Sequence, residues 1–145
     1  MKSLLVLLAL LLAGCGTGAQ SHGGPVQDQV SLIDVLRAKN LVVDIAGSVS
    51  QPFLTPQSGT AVRLSGGSLT APADLQLFEY DSAAAARTDA KRITSDGSGT
   101  ATTRISWTEP PHFFLKGRVI VLYLGSDAAV LDVLKGVLGP QVAGR

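Results

Sequence analysis

The sequence predicts a single α+β domain: a largely antiparallel sheet of about five strands packed against two or three helices, in the order αβββαββα. Segments with a hydrophobic period of two and segments with a helical period follow one another irregularly, and not as strict strand–helix pairs. Proline and glycine pairs punctuate the chain between them, as at Gly66-Gly67, Pro110-Pro111 and Gly139-Pro140. The part beyond residue 28 holds about 117 residues, enough for one hydrophobic core and too few for two ordinary domains.

Each element has its own signal. Ser31-Leu32-Ile33-Asp34 offers a cap and an acid three places on, Leu32, Ile33 and Leu36 share one side, and Asn40 is a stop. Leu41 to Val49 alternates, with Val43, Ile45 and Val49 on one face and Asp44, Ala46 and Ser48 on the other. A connection containing Pro52 and Pro56 leads to a short strand around Ala61–Leu64. Leu75 to Tyr80 is apolar on both faces and reads as an interior strand. Asp81 or Ser82 caps a helix through about Thr94, with Ala83, Ala86, Ala90 and Ile93 on its inner face. Thr102 to Thr108 reads as a strand with Thr103, Ile105 and Trp107 on one side, where Trp107 belongs to the core; Pro110-Pro111 ends it. Arg118 to Leu124 is continuously apolar after its first residue and reads as the central strand. Ser126 caps a last helix that buries Val130, Leu131, Leu134, Val137 and Leu138 before Gly139-Pro140.

The N-terminus has a different character. Met1-Lys2-Ser3 carries one positive charge before the apolar run Leu4 to Leu12. Nine helical residues span roughly 14 Å, about half a bilayer's hydrocarbon thickness, so residues 1–14 read as a secretory signal peptide and not as a spanning helix. Leu12-Ala13-Gly14-Cys15 resembles the lipobox of bacterial lipoproteins. That resemblance implies cleavage after Gly14, acylation of Cys15 by diacylglyceryl and palmitate-type chains, and a domain held outside the cytoplasm on the cell membrane or outer membrane. Residues 15–28, small, polar and Gly-rich, then read as a lipidated start and a flexible tether containing His22, and 29–145 as the domain. With Cys15 lipidated the domain has no cysteine, hence no disulfide, no thiolate nucleophile and no Cys-ligated metal.

A wider resemblance is carried by Gln51-Pro52-Phe53, Phe78-Glu79-Tyr80, Asp96-Gly97, Pro111-His112-Phe113, Leu122-Tyr123-Leu124-Gly125 and Leu138-Gly139-Pro140-Gln141. Together they look like the signature of a group of uncharacterised bacterial proteins that often carry lipoprotein signals. It covers nearly the whole domain and implies no activity, cofactor or catalytic residue.

Composition and motifs narrow the function classes. Twelve basic residues against eleven acidic ones leave no basic stripe for a nucleic acid. There is no GxSxG, no HExxH and no Walker loop, and Gly97-Ser98-Gly99-Thr100 follows a helix where a phosphate cradle would open one. The acids are scattered, and Asp81 and Asp127 fall at or near helix N-termini, where the macrodipole favours them. No metal or cofactor is expected, and the domain is expected to be a monomer.

His112 is the domain's one group suited to acid–base chemistry near neutral pH. It lies in Glu109 to Gly117, which reads as a stiff connection between strands. Packing at a strand junction explains His112 without function. The functional expectation is a binding surface formed by His112, Phe113, Phe114, Lys116, Phe53 and Tyr80, with one of the two adjacent phenylalanines facing out. Two function classes follow: a lipid-anchored envelope module that binds a protein, glycan or small ligand, or a small envelope hydrolase using His112 with a nearby Ser or Thr and an acid.

Overall fold

The computed structural model describes residues 24–145, so the expected signal peptide, Cys15 and most of the expected tether lie outside the described residues. Val26 is already buried and the Gln27 carbonyl accepts from the Arg118 amide at 2.8 Å, so the packed part starts before the expected residue 29. Helix α1 spans Gln29–Ala38. Its N-cap is Asp28, which accepts from the Ser31 amide at 2.9 Å while Ser31 Oγ accepts from the Asp28 amide at 3.0 Å. Ser31 is therefore the third residue of the helix and not its cap. The chain leaves α1 through Asn40, whose φ of 62° is the left-handed turn that asparagine tolerates.

Six antiparallel strands follow, β1 (Leu41–Ser50), β2 (Ser58–Gly66), β3 (Ala73–Glu79), β4 (Pro111–Lys116), β5 (Val119–Leu124) and β6 (Ala143–Gly144), in the spatial order β1-β2-β3-β5-β4-β6. β5 is interior, paired with both β3 and β4, as its unbroken apolar run requires. Helix α2 spans Ala83–Ala90 and α3 spans Ala128–Leu138. α2 stops at Ala90, short of the expected Thr94, and α3 is capped by Asp127, not Ser126, with Asp127 Oδ1 accepting from the Ala129 amide at 2.8 Å.

Around β4 and β5 the sheet is covered on both faces. Leu75, Leu77, Val119, Val121, Tyr123 and Phe114 pack with α1 and α3. On the other face Phe78, Ile120, Leu122 and Phe113 pack with α2 and with Phe53, Leu54 and Ile93. α2 is only eight residues long and covers the β4–β5 side of that face. Over β1 and β2 the same face stays open, and Val42 is 53% exposed there. Ile45, expected inside with Val43, keeps Val43's register opposite Val62 but is exposed on this edge strand, and the register slip that follows it, between Ile45 and Gly47, turns Val49 from Val43's face to the other, where it packs with the Phe53 cluster.

The largest departure lies between α2 and β5. Thr102 to Thr108 is not a strand; it forms one isolated bridge, Gly99 with Arg104. The strand is β4, inside the segment expected to be a loop. Proline is tolerated at the first residue of a strand, and Pro111 occupies that position opposite Leu124. The place beside β4 that another strand would need is taken by the two-residue β6.

Candidate functional site

The expected binding surface is not open. β4 alternates as an extended segment must, placing Phe113 and Phe114 on opposite faces, but both faces are covered and both rings are fully buried. Phe53, Tyr80 and His112 are buried as well, and Lys116 alone of the six is exposed. The expectation of an outward ring fails because the connection over Phe113 folds back: Phe53 and Trp107 meet it edge-on, with centroids 6.0 and 6.4 Å away.

His112 stacks on Tyr123 with ring centroids 6.0 Å apart, and its Nδ1 lies 2.8 Å from Gln141 Oε1. With that oxygen as acceptor, Nδ1 carries the proton and Nε2 is a buried lone pair that meets no hydrogen-bond partner. Neither nitrogen is bonded to a hydroxyl or carboxylate, the relation a nucleophile–base pair needs.

Tyr80 belongs to a network that sequence patterns did not reveal. Asp89 is 3% exposed; its Oδ2 accepts from the Thr55 amide at 2.6 Å and from the Tyr80 hydroxyl at 2.8 Å, and its Oδ1 pairs with Arg92 at 2.9 Å. Burial pushes the Asp89 carboxyl upward, but the Thr55 and Tyr80 hydrogen bonds and Arg92 outweigh it, and the group is held below the usual carboxylate range. Burial, then the bond to Asp89, pushes the Tyr80 hydroxyl well above its ordinary value. The spacing of Ala86, Asp89, Ala90 and Ile93 was the available signal, since it sets Asp89 on the inner face of the alanine helix. The network is structural: it locks the segment carrying Phe53 onto α2.

Several concavities remain open, one of about 440 Å³ between Lys39, Ser68 and the α3 residues Asp132, Val133 and Gly136 among them; two lie at the Leu124 end of β5. The larger, about 520 Å³, lies on the uncovered sheet face over Ala61, Gln76, Leu122 and Leu124. At its rim Arg63 and Asp74 form a two-bonded ion pair at 2.8 and 2.9 Å, with both side chains more than half exposed. The second, about 350 Å³, is lined by Trp107, Asp96, Ser98, Ser106, Glu109 and Arg145. It is built by residues 91–110, a connection of irregular structure pinned by its own hydrogen bonds, among them Thr94 N to Gly99 O, Ile105 N to Ser98 O and Thr100 N to Thr103 O. Three of the four amides of the Gly97–Thr100 turn are taken within the loop, Gly97 N by Thr94 O, Ser98 N by Asp96 Oδ1 and Thr100 N by Thr103 O, so the turn offers no row of amides to cradle a phosphate. Gly97 is required there, because its φ is 71° and a Cβ would stand 2.9 Å from the Pro111 ring. Among the described residues no three His, Cys, Asp or Glu side chains are placed to hold a metal ion.

Comparison with known proteins adds no role to any of these groups. The chain matches no family model, no curated protein and no solved structure.

Proposed function

We propose that the protein is a lipid-anchored cell-envelope protein, acylated at Cys15, whose domain binds a ligand and does not catalyse a reaction. The observation that carries the binding half is that two concavities, the one of about 520 Å³ and the one beside Trp107, lie at the same end of β5. The chain enters the domain at the β4–β5 turn, where Gln27 packs so closely on Gly117 that its backbone leaves no room for a Cβ there. Both concavities lie at the other end of β5, beside Leu124 and beside its ladder partner Pro111, ~17 Å along the strand. A domain tethered through residues 16–25 then presents its concave end away from the membrane. The anchor half rests on the lipobox-like residues Leu12 to Cys15. His112 supports the non-catalytic reading, since its ring is buried and bonded to Gln141.

The test is photocrosslinking in intact cells from a reactive residue at Ala61 in the larger concavity, at Trp107 in the smaller one, and at Val30, which is exposed on α1 outside both. Adducts from Ala61 or Trp107 and not from Val30 are the expected result. Adducts from Val30 alone, or loss of cellular function in a folded His112→Gln variant, contradict the reading.

A further inference from the structure

We infer that the concavity beside Trp107 is a saccharide subsite, in which a neutral or amino pyranose ring lies on the indole and hydrogen-bonds through its hydroxyls to Asp96 and Glu109. The inference deepens the binding reading above and does not depend on the anchor. Four observations carry it.

The first is the connection itself. Some twenty residues without regular structure are unusual in a compact domain and commonly belong to binding loops. Here they are fixed by internal hydrogen bonds, so the site exists before a ligand arrives. Second, Trp107 is only partly buried. Its Nε1 donates to the Gly97 carbonyl at 2.8 Å and its ring meets Phe53 and Phe113 edge-on, so its orientation is set while part of it lines the cavity. A sugar ring has an apolar C–H face that suits an aromatic surface, with hydroxyls around its rim that need fixed acceptors.

Third, the acceptors are present. Asp96 Oδ1 takes hydrogen bonds from Thr94 Oγ1 at 2.8 Å, Ser98 N at 3.0 Å and Ser98 Oγ at 2.8 Å. These bonds hold the carboxyl well below its usual range and leave Oδ2, 3.9 Å from the Arg145 guanidinium, to accept from a ligand. Glu109 supplies a second carboxylate, and Ser106 and Arg145 supply donors. Fourth, Asp96 and Glu109 are balanced by Arg145 and by Arg104, whose guanidinium donates to Ser98 Oγ at 3.3 Å, so the site carries no surplus of positive charge to recruit uronic acids or other anionic sugars. A volume of about 350 Å³ is at the small end of ligand pockets and suits one or two sugar rings.

Trp107 is the chain's one tryptophan, so its emission reports on this cavity directly. Full-length protein in detergent is titrated with N-acetylglucosamine trimer, maltotriose, cellotriose, galacturonic acid trimer and a proline-rich peptide, each to about 10 mM, tenfold above a millimolar Kd. The expected result is a saturable emission change with at least one neutral or N-acetylated trimer and a weaker one or none with the galacturonate. Asp96→Asn and Glu109→Gln should each weaken that binding roughly tenfold with unchanged circular dichroism, since each removes a charge-assisted acceptor. Glu109 is exposed and outside the turn's hydrogen bonds, so its variant remains informative if Asp96→Asn loosens the loop. Arg63→Ala, in the other concavity, should leave the titration unchanged. No saturable change with any neutral or N-acetylated trimer while the protein is folded overturns the inference, as does tighter binding of the peptide or the galacturonate. Failure here leaves the anchor intact, because acylation of Cys15 is read separately.

Discussion

Phe113 and Phe114 are adjacent in sequence, and truncating either to alanine removes a wholly buried ring from a different half of the core. The cost of a buried Phe→Ala change is about 3–5 kcal/mol, combining lost transfer energy with the cavity left behind. Phe113 also loses edge-on contacts with Phe53 and Trp107, while Phe114 leaves a gap between the sheet and helices α1 and α3. Each loss is a large fraction of the 5–15 kcal/mol or so that holds a domain of this size together. Urea unfolding followed by circular dichroism at pH 7 should show both single variants folded but weakened by about 4 kcal/mol. Their melting temperatures should fall by about 10–25 °C. The emission of Trp107 should shift in Phe113→Ala and stay unchanged in Phe114→Ala. A loss below about 1 kcal/mol at either position would mean that its ring is open to solvent, and would refute two-sided burial of β4.

Other expectations follow from the same geometry. Gly117→Ala places a side chain on the Gln27 backbone at a φ of 56°, so it should destabilise the domain and speed hydrogen exchange at the Arg118 amide, which donates to Gln27 O; unchanged protection there would contradict the packing. Tyr80→Phe should cost about 1.5–3 kcal/mol, because Asp89 loses a charged-group hydrogen bond, and Asp89→Ala should cost more, because it also frees Thr55 and Arg92; the reverse order in urea melts would contradict the network. Asp28, Asp74, Asp89 and Asp96 all titrate below their ordinary value, so each adds stability that is present above about pH 4 and lost as pH falls through its folded pKa. Thermal melts from pH 7 to pH 2 should show Tm falling below about pH 4, less steeply in Asp96→Asn than in the parent.

Much of the architecture was legible in the sequence, and the failures have physical causes. β5 was readable because a strand buried on both faces is apolar throughout, and α3 because its apolar residues recur at helical spacing up to Gly139. Thr102–Thr108 was misread because alternation reports which side chains face inward, and Ile105 and Trp107 do lean on the core while the backbone bonds locally. β4 was missed because a proline that ends one run can begin another, and because burial on both faces hides the polar alternation of a half-exposed strand. The open binding surface failed for the same reason: facing away from one core is no exposure when a second core lies on the other side. Asp89 and the Trp107 concavity are tertiary features. Each brings together residues distant in sequence, as Asp89 does with Thr55 or Asp96 with Arg145, and no local pattern marks such a meeting.

The central claim, a binding domain anchored through Cys15, is tested most directly by labelling cells with radioactive palmitate while they express the parent protein or Cys15→Ser. The account predicts a labelled parent in the membrane fraction whose mature N-terminal peptide begins at acylated Cys15, and an unlabelled Cys15→Ser protein that is either uncleaved or released. An unlabelled, soluble parent that retains residues 1–14 would contradict it.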